Sequence, residues 1–169
     1  MRIHRSALAP LAAALILSAC AEDTTGPGVG SGTTLEATVD GQRLELNINT
    51  DPSTTYYDGS LHQAYFSGTL VGSPSRTILL GFRYDLDNGS FPQTVTGDAV
   101  NIVYTEIPAG GTALNYDCPA TSSTCRITLT GSSGEIVSGT FSATLTEQND
   151  PSKTVSITAG EFSVTLPRR

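Results

Sequence analysis

The sequence predicts an all-β domain, built as a single antiparallel sandwich or barrel. Three observations carry that expectation. From Leu35 to Leu166, apolar residues alternate with polar ones in short runs, the two-residue period of a half-buried strand. Turn residues punctuate the runs, Asp40-Gly41 and Asn88-Gly89 most strongly, and such pairs accept the positive φ of tight turns. Beyond residue 20 the chain is rich in Thr, Ser and Gly and poor in Lys and Glu, a balance that favours strands and turns over helices.

The elements follow in order. Leu35, Ala37 and Val39 alternate with polar residues, Asp40-Gly41 turns the chain, and Leu44, Leu46 and Ile48 alternate on the return. Folding about the turn sets Ala37 opposite Leu44 and Leu35 opposite Leu46, so one face is apolar. Ala64, Phe66, Gly68 and Leu70 share a parity, as do Ile78, Leu80, Phe82 and Tyr84, with 71–76 as the connection. Further strands are expected over 101–106, 113–117, 126–130, 136–146 and 154–166. In the last of these the inward parity passes from Val155, Ile157 and Ala159 to Phe162, Val164 and Leu166 after Gly160, as a β-bulge would cause. Residues 139–145 and 160–166 echo each other, which we read as two strands with similar packing. The total is about 8–10 strands, with no helical stripe after residue 20.

The N-terminus reads as an address. Met1 to Arg5 is basic, Ala7 to Leu17 is apolar apart from Pro10, and Leu17-Ser18-Ala19 leads into Cys20. The apolar run falls short of the roughly 20 residues of a spanning helix and has the length of an export signal. Leu17-Ser18-Ala19-Cys20 matches the bacterial lipobox. That resemblance implies cleavage before Cys20 and a diacylglyceryl group on its thiol, so the partner is a lipid bilayer reached through acylated Cys20. Several acyl chains hold firmly where one holds marginally. Ala21 after the cysteine favours the outer membrane in a two-membrane cell. The expected organisation is a signal peptide at 1–19, a lipidated Cys20 with a Gly-rich tether to 33, and a β domain over 34–169.

A second resemblance covers nearly the whole domain. Leu35-Glu36-Ala37-Thr38-Val39-Asp40-Gly41, Arg126-Ile127-Thr128-Leu129-Thr130, Val137-Ser138-Gly139-Thr140-Phe141-Ser142 and Val155-Ser156-Ile157-Thr158-Ala159-Gly160-Glu161-Phe162 resemble strands of small all-β bacterial lipoproteins of the DUF6252-like group. Gly89-Ser90-Phe91 and Tyr104 are similar as well. Here Leu44 to Leu46 stands where those domains carry an aromatic after the first turn, and the cysteine pair is additional. The resemblance implies a lipocalin-like barrel or a sandwich. It brings no catalytic residue.

Charge and residue chemistry narrow the function classes. The chain carries a net charge of −7, and losing Arg2 and Arg5 with the signal leaves 7 basic against 16 acidic residues. A nucleic-acid partner is not expected without a basic footprint. Cys118 and Cys125 are expected to form a disulfide in an exported domain, worth roughly 2–3 kcal/mol for so short a ring. A redox pair more often has Cys-x-x-Cys spacing, and zinc needs more ligands. His62, the one histidine after the signal, has no nucleophile-elbow motif to serve and reads as a surface residue. Asp85-Leu86-Asp87-Asn88-Gly89-Ser90 resembles a calcium loop but misses the EF-hand spacing, and Asp and Asn before Gly also suit a turn. Tyr56, Tyr57 and Asp58 form an aromatic-acidic loop that could contact a ligand.

No catalytic residue, metal ligand or cofactor is assigned. The expected function is a non-enzymatic, membrane-anchored display or binding domain. The alternative is a lipocalin-like carrier holding a small apolar ligand inside a barrel.

Overall fold

The computed structural model describes residues 33–72, 74–119 and 123–169. The expected signal peptide, Cys20 and all but the last residue of the expected tether lie outside the described residues. Within them the domain is all-β: β1 (Thr34–Val39), β2 (Gln42–Ile48), β3 (Tyr56–Asp58), β4 (Gln63–Leu70), β5 (Ser75–Arg83), β6 (Gln93–Thr96), β7 (Val100–Ile107), β8 (Leu114–Asp117), β9 (Arg126–Ser133), β10 (Ile136–Glu147) and β11 (Thr154–Thr165). A single 3-10 turn, Gly97–Ala99, joins β6 to β7.

The strands close into an antiparallel barrel. Pairing runs β1–β2–β4–β5–β7–β8–β10–β11, and β11 returns to β1. Every stave neighbours the next in sequence, so the barrel is an up-and-down meander of eight staves, with β2 and β4 joined through Asn47 and Ile48 alone. The remaining strands lengthen existing staves or cover them. Along one edge of β10, β9 pairs with Ile136 to Ser142 and β8 with Thr146 and Glu147. β8 and β9 are therefore two halves of one interrupted stave. β6, beside β9, continues β7 in the same way. β3 lies outside the path, on β4.

The disulfide closes the interruption. Cys118 to Cys125 takes eight residues where β10 passes only Ala143 to Leu145. The bonded cysteines stand 6.1 Å apart at Cα, close to the roughly 6.6 Å of two strand residues. The expected pairing is present, and it staples the excursion at its base so that the two half-strands keep one line.

The first hairpin has the register its turn specifies. Asp40 and Gly41 take φ of 45° and 83°, and Ala37 pairs with Leu44 and Leu35 with Leu46. The β11 bulge is also present, one step before the expected position. Between Phe141 and Ala143 the register jumps from Gly160 to Ile157, and Ala159, not Gly160, carries the positive φ of 47°. Gly160 serves a different need: a Cβ there would lie 2.6 Å from the Phe141 ring. Ala159 is consequently exposed and Gly160 takes the inward place.

Inward parity fills the lumen. Phe66 on β4 meets Phe162 on β11 across the barrel, with centroids 5.0 Å apart, and Phe162 meets Phe141 at 6.4 Å. Leu35, Leu44, Ile78, Leu80, Ile102, Ile127, Leu129, Leu145 and Ile157 are buried around them. Gly68 lets β1 and β4 approach, since a Cβ there would sit 2.7 Å from Leu35 Cδ2.

Two corrections to the sequence reading concern short strands. Tyr56–Asp58 is strand, not loop, and Gln93–Thr96 is a strand the alternation does not announce. Neither segment has the length to show a period: β3 is held by a short hairpin with β4, and β6 by pairing with the distant β9.

Candidate binding site

The Tyr56-Tyr57-Asp58 segment divides by parity. Tyr57 points inward and is buried. Its hydroxyl accepts the Leu86 N–H at 3.1 Å and lies 3.3 Å from His62 Nδ1. Burial, more than any neighbour, pushes its pKa up. Its backbone takes up the end of the chain: Tyr57 N–H donates to Pro167 O at 2.9 Å and Arg169 N–H donates to Tyr57 O at 3.0 Å. Arg168 lies over the Tyr57 ring and pairs with Asp87. Tyr57 thus packs its ring into one end of the barrel.

Asp58 is a turn cap. Its Oδ1 accepts the Ser60 N–H, the Ser60 hydroxyl and the Leu61 N–H, at 2.9, 2.7 and 3.1 Å. The Ser60 hydroxyl leads in holding its pKa below the ordinary carboxylate value. Asp85 repeats the device, with Asn88 as the leading donor. The Asp85–Ser90 segment is a turn built on local bonds. Among the described residues, no group of three or more His, Cys, Asp or Glu side chains could hold a metal ion. His62 is exposed with φ of 52°, and its Nδ1 stands 3.7 Å from Asp85 Oδ1.

Tyr56 points outward, and register gives it unexpected company. Tyr56 pairs with Tyr65, Tyr65 with Gly81, and Gly81 with Asn101. These four residues form one row across the outer face of β3, β4, β5 and β7. The next row on the same face is Asp58, Gln63 and Arg83. The Tyr56 and Tyr65 rings stand 5.7 Å apart, and the Arg169 guanidinium covers Tyr56 at 3.8 Å. Tyr65 leans over Gly81, where a Cβ would fall 2.6 Å from its ring. Arg83 donates to Asp98 O at 2.7 Å and Oδ2 at 3.0 Å. Together Gln63, Tyr65, Gly81, Arg83, Asp98 and Asn101 border an open cleft of about 200 Å³.

The far mouth of the barrel holds charges at inward positions. Arg76 Nε bonds Glu106 Oε2 at 3.1 Å, and the Tyr104 hydroxyl donates to the same oxygen at 2.7 Å. Burial first, then the bond to Glu106, raises the Tyr104 pKa. Glu147 is buried, with Lys153 Nζ 3.2 Å from its Oε2. That contact is an ion pair without directed hydrogen-bond geometry, since Oε2 accepts no hydrogen bond. Glu147, then Asp150, raises the Lys153 pKa. Parity could have found these residues: Arg76 is in step with Ile78, Glu106 with Tyr104, and Glu147 with Leu145.

No family profile, characterised protein or solved structure matches this chain.

Proposed function

We propose that the chain is a lipid-anchored envelope protein whose barrel is a non-enzymatic display and binding domain. The observation that supports it best is the occupied lumen: Phe66, Phe162 and Phe141 fill the space in which a carrier would hold its ligand. Recognition on such a barrel falls to its outer face and rims. The lipobox before Cys20 supplies the attachment. The disulfide suits an oxidising compartment outside the cytoplasm. The likeness of the closing strands to DUF6252-like lipoprotein domains accords with this reading.

Metabolic labelling with a palmitate analogue tests the anchor. Wild type is expected to incorporate label and partition with membranes, while Cys20→Ser does neither. Equal labelling of the two would refute attachment at Cys20.

A further inference from the structure

We propose that the outer cleft over Gly81 is a binding site for a neutral sugar ring, with Tyr65 as its stacking surface. The inference rests on the binding-domain reading above and supplies that domain's ligand class. A pyranose has an apolar C–H face and a rim of hydroxyls. The cleft offers the complement of both. Tyr65 presents a flat apolar ring with a polar tip, braced by Tyr56 at 5.7 Å. Gly81, lacking a side chain, lets that ring lie down against the sheet, which forms the floor of the cleft. Around that floor stand the amides of Gln63 and Asn101 and the paired Arg83 and Asp98. These groups both donate and accept, as hydroxyls require.

The same observations disfavour other occupants. Arg83, the cation bordering the cleft, is already paired with Asp98 at 3.0 Å, and the chain carries a net charge of −7, which disfavours a phosphate or an acidic sugar there. A peptide adding as a strand needs an open sheet edge, but β4 and β5 are paired on both sides at Gln63–Tyr65 and Gly81. The volume of about 200 Å³ falls below the roughly 300–1,000 Å³ of sites that enclose drug-sized molecules. A single ring of a longer glycan, held from one side, fits it better.

The test is calorimetric titration of the full-length chain in detergent with maltohexaose, cellohexaose, mannohexaose and chitohexaose. At least one is expected to bind saturably, with little dependence on salt. Tyr65→Ala should weaken that binding about tenfold or more, the equivalent of one lost stacking contact, while Tyr65→Phe retains it. Because Tyr65→Ala uncovers Gly81 and could disturb the sheet, Asn101→Ala provides a second arm, expected to weaken binding at an unchanged melting temperature. No binding to any of the four sugars would overturn the assignment, as would Tyr65→Ala and Asn101→Ala binding like wild type. Cys20→Ser should bind sugar normally, so a failed anchor and a failed sugar site give different results.

Discussion

Tyr65 and Phe66 are adjacent aromatics with opposite fates. Phe66 points into the barrel and packs on Phe162 at 5.0 Å, whereas Tyr65 points out and lies over Gly81 beside Tyr56. Their side chains differ by one hydroxyl, and strand alternation assigns their faces. The inner ring is committed to the fold, packed with Phe162 inside the barrel. The outer ring faces the cleft bordered by Gln63, Arg83 and Asn101. Inward positions of this barrel therefore bear on stability, and the proposed sugar site draws on the outward row Tyr56–Tyr65–Gly81–Asn101.

Substitutions can break that division, and the largest effect belongs to the interior. Phe66→Ala should cost about 3–5 kcal/mol, because the ring leaves a cavity its neighbours only partly close; urea denaturation measures it. A loss below about 1 kcal/mol would mean the lumen is loosely packed. Replacing Cys118 and Cys125 together by Ser should cost roughly 2–3 kcal/mol, read in the same way. The β8–β9 stave would then be held only by its strand pairing.

The β11 bulge gives a smaller contrast between two neighbours. Gly160→Ala should destabilise by about 1–3 kcal/mol, since its Cβ would overlap the Phe141 ring. Ala159→Gly should stabilise by about 1 kcal/mol by relieving a left-handed residue. Opposite signs at adjacent positions in thermal melts would confirm the assignment of strain to residue 159 and close packing to 160.

The smallest expected effect is acid loosening of the turns. The folded pKa values of Asp58 and Asp85 lie below their ordinary value, through Ser60 and Asn88 respectively. A depressed folded pKa gives stabilisation that is complete above the unfolded value of about 4 and is lost as pH falls through the folded value. Protection factors, that is the intrinsic exchange rate at each pH divided by the observed rate, should fall at Ser60, Leu61 and Asn88 in that acid window while β5 and β10 stay protected. Asp85→Asn should remove the acid fall in protection at Asp87 and Asn88 while leaving that at Ser60 and Leu61.

What the sequence disclosed divides along the same line. Residues that alternate over six or more positions announced their strands and faces, and Asp40-Gly41 announced a register, because both signals are local. The interrupted β8–β9 stave was legible only as two strands and a cysteine pair, since its single line appears only against β10. β6 has Val95 as its one buried apolar residue, too little to show a period. Tyr56 and Tyr57 were visible as aromatics, but their opposite roles depend on the pairing of β3 with β4. Tyr65 was readable as outward from Ala64 and Phe66. Its neighbour Gly81 was not, because that pairing depends on register across the 71–74 connection.

Titration with a fluorescent long-chain fatty acid tests most directly whether this barrel is a filled scaffold. The occupied lumen predicts no saturable uptake by the Cys20→Ser protein. One-to-one binding that displaces with an unlabelled apolar ligand and is lost in Leu80→Trp would contradict it, and would place the ligand inside the barrel.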